Sequence, residues 1–183
     1  MNRKKKAVLA ETILPFIKDG EKVLDLGCGT GEIAEYINKR RKIKISLLEI
    51  EKRDRQANLK IKLYEGEKIP YPDNYFDTVL VVFVLHHCEN PNLTLKEAVR
   101  VSKNKVIVFK DTFKTKFGFF LIEAWHTLVS FAVGGKLFFT FIPDQVLKKR
   151  FKKLGLKTVA TREVRVPPYR PIKQKMFVLT KKP

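Results

Sequence analysis

The sequence predicts an α/β fold, a mostly parallel sheet wound with helices on both faces. Three observations predict it. Apolar, β-rich runs alternate with stretches of helical periodicity along most of the chain. The first run, "KVLDL" (22–26), enters a glycine-rich turn, "GCGTG" (27–31), and a helical pattern follows; in such sheets this turn faces the ligand crevice. The 183 residues, 44% hydrophobic, suit one domain with one sizeable core.

The elements follow in order. Val8, Leu9, Ile13, Leu14 and Ile17 share one face of a helix over residues 4–18. Val23–Leu26 reads as a buried strand, and 32–40 as a helix with Ile33, Ala34 and Ile37 inward and Thr30 as its N-cap. "IKISLLEI" (43–50) and "LKIKLY" (59–64) read as strands two and three. The stretch between them is too short for a full crossover helix and predicts a turn. "FDTVLVVFVL" (76–85) has the near-continuous apolar character of a central strand. "PNLTLKEAVRVS" (91–102) places proline at a helix N1 position. "KVIVF" (105–109) is a fifth strand, and 116–132 reads as helical. "DQVLKKRFKKLG" (144–155) is an amphipathic helix stopped by Gly155, and two strands close the chain around "PPYRP". There is no internal repeat, linker or low-complexity block.

Composition narrows the class. Two cysteines, Cys28 and Cys88, make no disulfide framework. The first twenty residues carry Glu11, Pro15, Lys18 and Asp19, which break any leader-like apolar run, so a cytoplasmic protein is expected. The formal charge of +19 is uneven. Residues 21–101 hold 14 basic and 13 acidic side chains, whereas 144–183 hold 13 basic ones against Asp144 and Glu163.

The glycine turn is poorly suited to phosphate. A dinucleotide fingerprint needs a third glycine at position 32, where this chain has a glutamate. A P-loop would need a lysine and a hydroxyl residue that are absent. Asp25 stands just before the turn, Glu49 ends the second strand, and Glu65 lies in the loop after the third. An acid at the end of strand two accepts hydrogen bonds from a ribose diol. Acids around a phosphate-free turn suit a ligand with a ribose and a positive centre, as in S-adenosylmethionine.

"VLDLGCGTG", "LLEI", "IPYPDNYFDTVLVVFVLHH" and "LKEAVRVSKNKVIVFKD", in this order across residues 20–111, resemble the class I S-adenosylmethionine-dependent methyltransferases, most closely their small type 11 domains. The resemblance implies a Rossmann-like seven-stranded sheet whose last strand is antiparallel. The chain reads as a single domain over 1–183, with an N-terminal helix (1–20), a cofactor half (21–111) and a substrate-side half (112–183). Carried over, Asp25, Gly27, Cys28 and Gly29 hold the methionine part, Glu49 the ribose, Glu65 and Gly66 border the adenine, and Val82 and Phe83 line the floor. Glutamate replaces the more usual aspartate at 49 and 65.

Methyl transfer from a sulfonium is an in-line displacement that asks mainly for positioning and a dry site. If the acceptor must lose a proton, His86, Asp111, His126 and Tyr169 are the candidate bases. The adjacent "HHC" (86–88) does not have the geometry of a metal site, and no metal is expected. The apolar segment 117–143, interrupted by Glu123 and His126, suggests a lid or interfacial helix and hence a small-molecule or lipid-like acceptor. The basic C-terminal region, with Lys148–Lys153, Arg165 and Arg170, suggests an anionic acceptor or anionic membrane surface. The alternative is an RNA methyltransferase using that region as a phosphate track. A non-catalytic cofactor-binding module is a third reading, opposed by the intact turn and acids.

Overall fold

The computed structural model describes residues 3–51, 58–113, 142–164 and 172–182. The chain begins with helix α1 (Arg3–Ile13) and a 3₁₀ turn (Leu14–Phe16). There follow β1 (Lys22–Leu26), α2 (Glu32–Asn38), β2 (Lys44–Glu49), β3 (Ile61–Leu63), β4 (Phe76–Val82), α3 (Pro91–Val101) and β5 (Ser102–Phe113). The chain continues with α4 (Asp144–Lys153), β6 (Leu156–Val164) and β7 (Ile172–Lys181). The seven strands lie in the order β3-β2-β1-β4-β5-β7-β6. β1 to β5 pair in parallel, and β7 is antiparallel to both its neighbours. Strand order reverses between β1 and β4, so the crevice for a ligand opens beyond their carboxyl ends.

The apolar pattern explains the layers. β1 and β4 are buried almost throughout, which requires cover on both faces. On one face Val79, Val81, Val106, Val108, Phe177 and Leu179 pack under Leu95 and Ala98 of α3 and Leu147 and Phe151 of α4. On the other, Val23, Leu80, Ile107, Phe109, Met176 and Val178 pack under Leu9 and Ile13 of α1 and Ile33 and Ile37 of α2. The alternation of 106 and 108 with 107 and 109 is the period of two that sends successive side chains to opposite faces. Phe151 meets Phe177 edge-on, centroids 5.6 Å apart. Truncating such a buried ring to alanine costs about 3–5 kcal/mol. β6 closes the sheet as an edge strand, and its exposed Lys157 and Arg162 discourage pairing with another chain.

The predicted caps are partly met. Asn90 caps α3 by accepting from the Leu93 N–H at 3.1 Å, and Pro91 takes the N1 position. Gly155 stops α4 with φ of +70°. Thr30, however, does not cap α2: the N-cap is Gly31, in the left-handed region, with no side-chain bond. The Thr30 hydroxyl instead donates to Glu32 at 2.8 Å and accepts from Lys6 at 3.0 Å. β4 ends at Val82 rather than 85 because Phe83 turns to a positive φ. β5 runs on to Phe113 because β7 offers it a ladder as far as Ile172.

One placement corrects the reading of the charge. Asp144 at the start of α4 pairs with Lys110 and Lys175, near the carboxyl ends of the parallel strands. The helix then descends to Gly155, where β6 begins opposite Lys181. Lys152 and Lys153 therefore lie toward the amino edge, and α4 packs on the α3 face. A lysine-rich helix need not rim the ligand edge, because its direction is set by burying Leu147 and Phe151. The expectations for the 116–132 helix, the apolar segment up to residue 141, and Arg165, Tyr169 and Arg170 lie outside the described residues. Among the described residues no helix is long and apolar enough to cross a membrane.

Candidate active site

The glycine turn is built as a clasp between β1 and β2. Gly27, Gly29 and Gly31 all have positive φ, 67°, 59° and 79°, a region that side chains disfavour. The N–H groups of Gly27 and Cys28 both donate to the Leu48 carbonyl, at 2.8 and 3.1 Å. The Gly29 N–H donates to one Glu49 carboxylate oxygen at 2.6 Å, and the Ile50 N–H donates to the other at 2.9 Å. The Glu49 carbonyl in turn accepts from the Tyr64 N–H at 3.0 Å. Glu49 is thus buried and aimed across the turn, the position expected of a diol ligand.

Asp25 is buried beside it, only 2% exposed. Burial, and then the nearby charge of Glu49, push its carboxyl up to about 7. Two acids held in apolar surroundings favour a cation or a set of hydrogen-bond donors. This donor set fits the ammonium, sulfonium and ribose hydroxyls of S-adenosylmethionine and would repel a second anion.

The end of β4 lies at the same edge. Phe83 has φ of +58°, uncommon for a non-glycine residue, and its N–H donates to the Phe109 carbonyl at 3.1 Å. Its ring lies 5.9 Å from Phe109 and 6.5 Å from His86, with the Lys5 ammonium over it at 5.5 Å. The next residue, Val84, lies under the turn: a Cβ on Gly27 would stand 2.5 Å from Val84 Cγ2.

These features meet at one end of one sheet, and the chain's likeness to other proteins agrees with them. Residues 24–109 match the family described as the methyltransferase domain. The likeness is thus to a methyltransferase domain, over just under half of this chain. The ubiquinone/menaquinone biosynthesis C-methyltransferase UbiE of Neisseria meningitidis serogroup C is 38% identical over 100 residues, covering 48% of this chain and 40% of that one. The UbiE of Cupriavidus metallidurans is 36% identical over 134 residues, covering 64% and 52%. The chain spans about half the length of these relatives. A SAM-dependent methyltransferase of Thermotoga maritima shares the fold, with a TM-score of 0.71 and 22% identity over 98% of this chain and 92% of that one.

Within this methyltransferase fold, Asp25, Gly27, Cys28, Gly29, Glu49, Val82 and Phe83 gather at the carboxyl ends of β1, β2 and β4. Gly66, with φ of +86°, passes over Ile50, and a Cβ there would lie 3.2 Å from Ile50 Cγ2. Glu65 is exposed beside it. His86 is half-buried near Phe83, and its ring is tilted against that of His87, 4.0 Å between centroids. Asp111 sits at the end of β5 and accepts from Gln174 at 3.0 Å. His126 and Tyr169 lie outside the described residues.

Four residues at the site escaped the sequence reading as site residues. Lys6 is buried and pairs with Glu32, so the acid at position 32 is neutralised, not free to repel an anion. The exclusion of phosphate therefore rests on Asp25 and Glu49. Lys5 lies over Phe83. Tyr64 and Cys88 flank Glu49: burial first, then the charges of Cys88 and Glu49, push the Tyr64 phenol up to about 12, and burial likewise raises the Cys88 thiol. A cleft of about 430 Å³ beside the turn, lined by Lys6, Glu32, Tyr36 and Asn58 among others, includes neither Asp25 nor Glu49.

Proposed function

We infer that this chain binds S-adenosylmethionine and transfers its methyl group to a small-molecule or lipid-like acceptor. The observation that carries the reading is the buried pair Asp25 and Glu49, closed over by the Gly29 N–H. When bound, the cofactor supplies an already activated methyl group. Asp25 with the backbone of Gly27, Cys28 and Gly29 would hold the methionine part, and Glu49 would take the ribose hydroxyls by exchanging its bond to Gly29. Glu65, Gly66 and Tyr64 would border the adenine, and Val82 and Phe83 would form the floor. The chain's contribution is alignment and exclusion of water.

An acceptor that must lose a proton needs a base at the carboxyl edge, and Asp111 is the described residue best placed for it. The relatives named as C-methyltransferases of ubiquinone and menaquinone biosynthesis support an acceptor that is a small molecule. The Lys5 ammonium of α1 lies over the Phe83 ring, which supports a role for α1 at the acceptor mouth. The test is calorimetry with S-adenosylmethionine, then methyl transfer from labelled cofactor to panels of small molecules, lipids dispersed in vesicles, and RNA. Binding with transfer to small or lipid acceptors is expected. Transfer to RNA alone would favour an RNA methyltransferase, and no cofactor binding would overturn the reading.

A further inference from the structure

At the carboxyl edge, a polar pair follows the apolar residues Ile107, Phe109, Met176 and Val178 on one face of β5 and β7. Asp111 of β5 and Gln174 of β7 are register partners, two residues beyond the pair Phe109 and Met176. Side chains two apart on a strand share a face, so Asp111 and Gln174 lie on the face of Phe109 and α1, the face that also carries Phe83. Gln174 is 3% exposed. Its Nε2 donates to Asp111 Oδ1 at 3.0 Å, which fixes which end of the amide faces the acid. Its Oε1 is buried with no hydrogen-bond partner among the described residues. Native folds leave few buried acceptors unmet, and those that persist call for a specific explanation.

Two acceptors therefore converge: the amide oxygen of Gln174 and the carboxylate of Asp111, which can accept several bonds at once. Neither offers a donor to an anion. We propose that Gln174 and Asp111 form the polar anchor of the methyl acceptor, selecting a small molecule that presents a hydroxyl or amino donor. This rests on the methyltransferase reading of the same edge. The acceptor's apolar part would lie along Phe109 and Phe83, and its donor would satisfy Gln174 Oε1 while Asp111 takes the second bond. A site built around buried acceptors rejects analogues whose donor has been capped, because capping leaves those acceptors unmet. Gln174 thereby acts as a specificity-determining residue, and it also orients Asp111.

The experiment uses the full chain, ¹⁵N-labelled and loaded with S-adenosylhomocysteine. Phenol is titrated against anisole, and benzylammonium against benzyltrimethylammonium, following the Gln174 side-chain amide signal, which Gln174→Leu identifies by its loss. The donor-bearing member of at least one pair should move that signal and bind about tenfold tighter, the worth of one good hydrogen bond. Gln174→Leu should bring the two members of that pair close to equal affinity. Gln174→Glu, which keeps the shape and the acceptor, should retain the preference for benzylammonium. Equal binding of capped and uncapped probes, no binding by either donor-bearing probe, or a preference that survives Gln174→Leu would each overturn the proposal. The titration is repeated on the unloaded chain. Failure to bind S-adenosylhomocysteine would then sink methyl transfer while the anchor is still judged by its own probes.

Discussion

The Gly29 N–H donates to the Glu49 carboxylate at 2.6 Å, tying the glycine turn to the end of β2. Glu49 therefore has two tasks, shaping the turn and meeting the diol. Glu49→Ala should weaken S-adenosylmethionine binding by about 1.5–3 kcal/mol, the range for hydrogen bonds to a charged group. Glu49→Gln should lose less, because its amide oxygen can still accept from Gly29. Calorimetry with the cofactor and a deoxyribose analogue separates the tasks. If Glu49 holds the diol, the analogue loses much less in Glu49→Ala than in the wild type; equal losses would remove Glu49 from the ribose.

Asp25 gives the site a pH dependence with a definite sign. Its carboxyl is raised from 3.8 to about 7 by burial and then by Glu49. A cationic ligand favours the ionised acid, so binding near pH 6 releases a proton and affinity should rise with pH, levelling off above about 7. In the unloaded chain the folded state holds this proton more tightly than the unfolded state. The resulting stability is fully present below about pH 4 and is lost as pH rises through about 7. Asp25→Asn should flatten both profiles. Thermal melts with and without S-adenosylhomocysteine from pH 5 to 8 check this; unchanged slopes in the variant would assign them to another group.

Gly27 and Gly29 of the turn are not equivalent. A Cβ on Gly27 would press Val84 Cγ2 at 2.5 Å, whereas one on Gly29 meets nothing within 4 Å. Both sit at positive φ, which costs a side chain about 1–2 kcal/mol. Gly27→Ala adds overpacking of about 1–3 kcal/mol and should be the more destabilising in denaturant titrations. Val84→Ala should recover the overpacking share in the double variant. Gly29→Ala should leave a folded chain with weakened cofactor binding, since the added methyl projects into the open side of the turn.

Much of this site was legible because its parts are local. The strand, glycines and acids stand next to one another in the chain or at the ends of strongly apolar runs, and strand order places those ends together. What was not legible depends on register and on long-range packing. Gln174 looks like one polar residue among several in "IKQKMFVLTK"; only its pairing with Asp111 across β5 and β7 gives it a place at the edge. Lys6 reaches Thr30 across 24 residues, a contact that depends on how α1 crosses α2. Thr30 has the hydroxyl that favours a cap, but that hydroxyl accepts from Lys6 and donates to Glu32 instead. The basic C-terminal helix was readable as a helix, while its descent away from the ligand edge follows from burying Leu147 and Phe151.

Lys6 provides the last test, of α1 as a structural part of the cofactor site. Its side chain is 11% exposed, that of its partner Glu32 is 12% exposed, and Thr30, within the glycine turn, bonds to both. Removing one member of a buried pair leaves a charge that water can hardly reach, which costs about 3–5 kcal/mol, whereas replacing both with neutral side chains is often close to neutral. Lys6→Met should therefore destabilise the chain strongly, and Lys6→Met with Glu32→Gln should recover most of that loss. Cofactor affinity separates packing from function. If α1 orders the turn through Thr30, the double variant should be stable yet bind S-adenosylmethionine more weakly than the wild type, because the turn has lost its tie to α1. Denaturant melts and calorimetry on the three proteins decide it: wild-type affinity in the double variant would confine Lys6 to stability, and a double variant no more stable than Lys6→Met would show that the pair is not the source of the cost.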